Sequence, residues 1–469
     1  MQNLSSQRLL LFAILLGLLF VQDSALPEAE AATVHVRTHT SVRATQHLRS
    51  DTTLAAPRVF TQGMTLSAYD LRGDGSGDLM ARIQLRYVTD FGLAQRLRRD
   101  PLFDARFNDI SLDLAHLRWH PTDSLRLVGG RHWAPSTLGL TDMDGISVHW
   151  QLPDGDWRPF LGAAFGRDVQ RGLTPFDPGH FDVQGLPPND AGVAPDTWHL
   201  IGMGRAGVIA HDRHRVELAA QQFRRPQAGL DRRVTTTRLG FSGSTTPVAP
   251  VTITAATSYH STPNALDRAH LATAVRAGAQ TFTVGFDQRR PVFDSASIFN
   301  LFGAQPHRSA YGSAERTFEP ASTRLQLRGW TRQYFDSDPG LFATGDALAL
   351  GAALAGHHRL SLFIPLQVSW QVSGQTLTDG SGGDQYLADL RLRAPVAVDG
   401  LYATGRILGL WALPDHHRRQ AGFATTAVVG MELAIADWGR LAVSLESRGG
   451  SLATGNAAAF AHFEVDAWR

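Results

Sequence analysis

The stretch Leu360-Ser-Leu-Phe-Ile-Pro-Leu-Gln-Val-Ser-Trp-Gln-Val372 sets the reading of the whole chain. Leu360, Leu362, Ile364, Leu366, Val368, Trp370 and Val372 are apolar, and between them stand Ser361, Phe363, Pro365, Gln367, Ser369 and Gln371. Side chains of a strand point to alternate faces, so the stretch reads as one strand with an apolar face and a mostly polar one. Phe363 and Pro365 are the misfits on the polar face.

The same rhythm recurs along the chain. Strands are expected at Leu79–Val88, Asp109–His120, Ser124–Trp133, Gly145–Gln151, Trp157–Phe165 and Trp198–Ala210. They continue at Arg213–Phe223, Arg233–Ser242, Val251–His260, Ala269–Ala277, Gln280–Gln288, Thr323–Phe335, Asp346–Leu354 and Arg359–Val372. Gln385–Arg393, Leu401–Trp411, Gly422–Ala434, Gly439–Arg448 and Ala457–Trp468 complete the set. Most have the length a tilted strand needs to cross a bilayer, about 9–11 residues. No long amphipathic helix pattern is present.

The connections alternate between short and long. Those at 121–123, 355–358, 394–400 and 435–438 are short, while 89–108, 166–197, 336–345, 373–384, 412–421 and 449–456 are long. Tight turns at one end and longer loops at the other mark a membrane barrel. The alternation fails once, between Gln288 and Thr323, where a further strand at His307–Phe318 with a tight turn at Glu319–Ser322 would repair it. Phe60–Tyr69 is another possible strand. The expected fold is all-β: a single closed antiparallel transmembrane β-barrel of about 20 strands, within a range of 16–22.

Leu9–Val21 contains no polar side chain, follows Arg8, and precedes the small-x-small pattern Ala29-Glu30-Ala31. This is the layout of a secretory signal peptide, and it is shorter than the roughly 20 apolar residues of a membrane helix. The expected organisation is a signal peptide at 1–31, a flexible periplasmic lead-in at 32–58 and the barrel at 59–469. No later apolar run is long enough for a membrane helix, so a membrane location requires a closed barrel, which pairs every backbone polar group internally.

The 469 residues include no cysteine, so no disulfide framework exists. All 44 basic residues are Arg, as a GC-rich genome would give; a preference for bidentate anion contacts is the sharper alternative. The formal charge is +1, and loss of Arg8, Asp23, Glu28 and Glu30 with the signal leaves +3. That is too little to support nucleic-acid binding.

Charged residues fall on single faces of several strands. Arg82 and Arg86 oppose Leu79, Ile83 and Leu85; Arg215 and Glu217 oppose Val216 and Leu218. Arg324, Arg328 and Arg332 oppose Leu325 and Leu327, with Trp330 breaking the polar set. Asp389, Arg391 and Arg393 oppose Leu390 and Leu392; Arg440, Glu446 and Arg448 oppose Leu441, Val443 and Leu445. An Arg on the lipid face costs about 2–4 kcal/mol at the midplane, so these rows are the candidate lumen-facing pore residues. Either they form a cationic ladder for anionic solutes, or Glu217, Asp389 and Glu446 neutralise them and the pairs merely solvate the wall. Tyr87, Trp119, Trp133, Trp150, Trp157, Trp198, Tyr259, Trp411, Trp438 and Trp468 sit near strand ends, as interfacial girdles require.

Asp70, Asp74 and Asp78 with intervening glycines resemble a calcium loop, but Arg72 occupies a ligand position and no bidentate Glu follows. A glycine-rich turn is the simpler reading. His211/His214, His357-His358 and His416-His417 are expected in turns or loops, without the carboxylate or Cys partners of a metal site. No metal or other cofactor is expected. No G-x-S-x-G or H-E-x-x-H motif points to catalysis. The segment 166–197 could fold inward as a constriction or lie at the surface, and 289–306 is apolar enough to pack inside the barrel or on its rim.

With its export signal, repeated strands, Gly129-Gly130-Arg131-His132-Trp133 at a strand end and an aromatic near the C-terminus, the chain resembles porin-like outer-membrane barrels of GC-rich Gram-negative bacteria. The resemblance covers nearly the whole mature chain and is one of pattern. It implies an outer-membrane channel for passive diffusion or export of small polar solutes, anionic ones on the sharper reading of the Arg rows. The expected partners are outer-membrane lipid, the barrel-assembly machinery and those solutes. The alternative is a barrel plugged by its own loops that serves as an adhesin or scaffold. One departure stands out: Phe463, Val465 and Ala467 form one alternating series and Trp468 falls on the other.

Overall fold

The computed structural model describes residues 33–48, 54–55, 58–71, 78–90, 108–169, 200–227, 230–261, 264–290, 306–319, 322–334, 348–361, 364–378, 384–396, 398–413, 422–435, 438–451 and 456–468. The elements begin with β1 (Thr33–Leu48), the two-residue β2 (Leu54–Ala55), β3 (Arg58–Tyr69), β4 (Leu79–Asp90), β5 (Asn108–Thr122), β6 (Leu125–Ser136), β7 (Gly139–Gln151) and β8 (Trp157–Asp168). They continue with β9 (Leu200–Ala210), β10 (His214–Gln227), β11 (Leu230–Val248), β12 (Val251–His260), β13 (Ala265–Ala277), β14 (Gln280–Arg289), β15 (His307–Phe318) and β16 (Thr323–Tyr334). The last are β17 (Leu348–Ser361), β18 (Pro365–Leu377), β19 (Gln385–Pro395), β20 (Leu401–Ala412), β21 (Gly422–Ile435), β22 (Gly439–Gly449) and β23 (Asn456–Trp468).

Every long strand pairs antiparallel with its neighbours in sequence. β1 then pairs with β3 on one side and β23 on the other, which closes a barrel of 22 staves. β2 only extends β1, through His47 and Leu48. Closure gives the first and last staves a neighbour on both sides, which removes the free edges an open sheet would present to hydrocarbon. The first stave begins and the last ends on one side of the barrel. Connections on that side run from two to nine residues, and the opposite side carries the long ones, up to the thirty-one residues of 169–199.

The outward face is apolar. Phe165, Val284 and Val429 are 65%, 63% and 61% exposed, far from the interior site that side chains of this size take in a water-soluble protein. Outward aromatics collect at both rims. Trp119, Trp150, Trp157 and Trp438 lie near the short connections, and Tyr386, Trp411 and Phe423 near the long ones.

His307–Phe318 is β15, paired with β14 and β16 as the alternation of connections required. Phe60–Tyr69 belongs to β3. Three expectations need correction. Residues 33–48, expected within a flexible lead-in, form the stave that closes the barrel; their polar Thr, His and Arg obscure the alternation. Leu360–Val372 is two strands: Ser361 pairs with Pro365, so the chain reverses between them. The expected turn at 355–358 is instead mid-strand, with His357 Nδ1 2.8 Å from Ser369 Oγ and His358 stacked on Trp370. The signal segment 1–31 lies outside the described residues, as do Asp74, His416, His417, 170–199 with Trp198, and 291–305. The β1–β23 register runs unbroken to His35↔Trp468, so no bulge shifts position 468 from the series of Glu464 and Asp466.

Candidate functional site: a charged lumen and an inward hairpin

The register places Arg82, Arg86, Arg215, Glu217, Arg324, Arg328, Arg332, Asp389, Arg391, Arg393, Arg440, Glu446 and Arg448 on the series opposite the exposed apolar residues, toward the lumen. Trp330 shares that face, its indole over the bare backbone of Gly351. Most of these arginines have carboxylate partners. Asp389 accepts from Arg391 Nη2 at 2.8 Å and from Arg406 Nε and Nη2 at 2.9 Å each. Glu432 bridges Arg393, at 3.0 Å, and Arg440. Glu446 holds Arg448, Glu315 holds Arg324, and Asp113 lies 3.4 Å from Arg86. Arg328 instead lies 4.6 Å from the ring centroid of Tyr311. Such pairing brings the wall toward neutrality, and with the arginines partly exposed each pair contributes little to stability.

Sequence reading finds only part of these networks. Partners two residues along one strand, such as Arg391 for Asp389, are visible as a pattern. Arg406, Glu432, Glu464 and Asp466 come from neighbouring strands, and only the register joins Arg37 to Glu464 and His35 to Asp466.

The lumen is interrupted on one side. The ladder between β5 and β6 runs from Thr122↔Leu125, through a register shift before Trp119↔Leu127, to Ala115↔Arg131 and stops there. At the same level β5 carries a bulge, with Gln84 and Leu85 opposite Leu114 and Leu112, which sends both Asp113 and Leu114 inward. Arg131 fills the break. Its Nη1 donates to the Leu112 carbonyl at 2.7 Å, while Nε and Nη2 grip Asp144 across the β6–β7 pair at 2.6 and 2.7 Å. Gly130 has a φ of 111°, a backbone state that favours glycine, and a Cβ there would collide with the Ala115 carbonyl.

Beyond that bend the β6–β7 hairpin folds into the barrel. Its tip lies against lumen-facing residues of β10 and β11. The Thr137 N–H donates to Glu217 Oε1 at 3.0 Å, and Gln221 Nε2 donates to Thr141 Oγ1 at 2.6 Å. Leu138 occupies the space above Gly240, where a Cβ would meet Leu138 Cδ2 at 2.6 Å. Ala134 and Met143 of the hairpin pack on Ala164, Ile201 and Met203 of β8 and β9, with Phe223 beside them. Met143 and Ile201 are fully buried, and Glu217 and Gln221 under the tip are buried. This apolar cluster inside the barrel anchors the hairpin to the wall.

The hairpin tip escapes the sequence reading because Ala134–Asp144 mixes Pro, Gly, Asp and single apolar residues. The bend is written in Gly129-Gly130, which reads there as a strand end. Of the proposed calcium ligands, Asp70 (φ 55°) and Asp78 flank a turn on the short-connection side, and Asp74 is outside the described residues.

No protein-family model matches the chain, and no curated protein matches its sequence. Solved structures do match it. The ferric enterobactin receptor PfeA of Pseudomonas aeruginosa, a variant in complex with enterobactin, gives a TM-score of 0.56 at 11% identity, over 92% of this chain and 81% of that one. The siderophore receptor PirA of the same organism gives 0.54 at 10% identity, over 92% and 80%. The fold is that of a large outer-membrane β-barrel. OccAB4 of Acinetobacter baumannii covers 94% of this chain and 100% of its own, at a TM-score of 0.46 and 8% identity. At such identities the likeness carries the architecture and nothing finer.

Proposed function

We propose that the protein is an outer-membrane channel through which small polar solutes diffuse, with a bore set by the inward β6–β7 hairpin. The observation that carries this reading is the hairpin tip seated on Glu217, Gln221 and Gly240 inside a lumen lined by ion-paired side chains. A hydrated, charge-lined passage narrowed by one rigid element admits solutes by size and charge. In this reading outer-membrane lipid contacts the apolar exterior, and the barrel-assembly machinery inserts the chain. The pairing of most lumenal arginines makes the wall a weak selector, so selectivity depends on the few cations without a carboxylate.

The test is single-channel recording of folded protein in planar bilayers. Discrete conductance steps are expected, and a reversal potential under a salt gradient reports ion preference. Folded, heat-modifiable protein that conducts nothing would sink the channel and leave the plugged adhesin or scaffold.

A further inference from the structure

We propose that the cavity beneath the β6–β7 hairpin binds a small multivalent oxyanion: phosphate, a phosphate ester or a compact di- or tricarboxylate. The inference rests on the channel reading only in placing this site on a solute's path.

The cavity measures about 210 Å³ and lies between the inner faces of β4–β9 and the hairpin residues His132, Trp133, Ala134 and Pro135. At about 30 Å³ per water it has room for a compact anion. Arg82, Arg118, Arg126 and Arg205 line it, together with three histidines, and no Asp or Glu is among its lining residues. This sets it apart from the rest of the lumen, where Arg391, Arg406, Arg393 and Arg440 share carboxylates.

The cations here are poorly satisfied. Among the described residues, Arg118 Nη2 meets Met80 Sδ at 3.2 Å and Arg205 Nη2 meets His149 Nδ1 at 3.3 Å, and the Arg205 guanidinium also lies 5.9 Å from the Phe160 ring centroid. Arg82 and Arg126 make no hydrogen bond or ion pair among the described residues. The Nε–H groups of Arg82 and Arg118 are buried without an acceptor, as are one ring nitrogen each of His116 and His132. Partly buried cations with so few partners are costly, and four guanidinium groups around one space repel one another. An oxyanion removes both penalties, because the guanidinium fork matches carboxylate and phosphate oxygens in bidentate geometry.

The experiment is titration calorimetry on folded, detergent-solubilised protein at low ionic strength, with sodium phosphate, succinate and chloride as separate ligands. Trp133 lines the cavity and gives a fluorescence signal of the same event. Saturable 1:1 binding of phosphate or succinate is expected, and the tighter of the two identifies the oxyanion geometry. Arg126→Gln and Arg205→Gln should each weaken it at least tenfold. Arg205→Lys, which keeps the charge and loses the fork, should also weaken it and serves if a glutamine variant fails to fold. Arg289→Gln, in an arginine paired with Asp287 outside the cavity, should leave binding unchanged. Absence of saturable binding, equal affinity for chloride, or affinity indifferent to the cavity variants would overturn the site. Binding by a protein that does not conduct would uphold the site and reject the channel.

Discussion

At the scale of single residues, the bend that turns the hairpin inward depends on Gly130, whereas its neighbour Gly129 is a natural control. Gly130 holds a positive φ and its missing Cβ leaves room for the Ala115 carbonyl; a Cβ on Gly129 meets nothing within 4 Å. A non-glycine residue held in such a conformation costs about 1–3 kcal/mol. Gly130→Ala should lower the temperature at which folded protein loses its compact gel mobility, and Gly129→Ala should barely move it. Equal behaviour of the two would remove the bend from Gly130. Glu217 is the matching anchor at the tip: it accepts the Thr137 N–H and an Arg215 N–H, each at 3.0 Å, while itself buried. Glu217→Ala leaves those donors without a partner, at a cost of about 1–3 kcal/mol. It should loosen the tip and broaden the distribution of single-channel conductances.

At the scale of elements, the inward hairpin makes a direct geometric prediction. Leu138 touches the space a Cβ on Gly240 would fill, and the chain has no cysteine of its own. The pair Leu138→Cys with Gly240→Cys should therefore close a disulfide on mild oxidation, seen as a gel shift reversed by reductant. Failure of this pair to cross-link in folded protein would place the tip elsewhere. The elements also show what the sequence could and could not disclose. β15 was readable from the order of short and long connections, although Ala310, Gly312 and Ala314 give little hydrophobic signal. The reversal within Leu360–Val372 was hidden because the turn spans three residues. Ser361 faces Pro365, both on the same parity, so the apolar alternation passes through the turn without a change of phase. Leu362 and Phe363 supply none of the usual turn chemistry, and Pro365 takes the first strand position, where a proline is tolerated. The arginine cavity was hidden for a different reason. It collects Arg82, Arg118, Arg126 and Arg205 from β4, β5, β6 and β9, one cation from each, so no single strand carries a pattern.

At the scale of the whole molecule, closure rests on the least strand-like segment, β1. Its register with β23 extends from His35↔Trp468 to His47↔Asn456, and with β3 from Thr33↔Tyr69 to Ala44↔Arg58. Both neighbours run antiparallel to β1, so they run parallel to each other. Without β1 the remaining staves number 21, and β3 and β23 could meet only as a parallel pair, with a slanted and slightly weaker ladder. Their N–H and C=O groups would otherwise be left facing lipid, at several kcal/mol per group. An exported variant lacking residues 33–48 should thus fail to yield the heat-modifiable form and should not conduct. Restoring the segment as a separate peptide during refolding should recover part of the folded population, because the missing stave contributes ladder hydrogen bonds on both sides. A truncated chain that folds and conducts like the intact one would show that the barrel closes without β1. Retained folding with lost conductance would assign the segment to the pore and not to the seam.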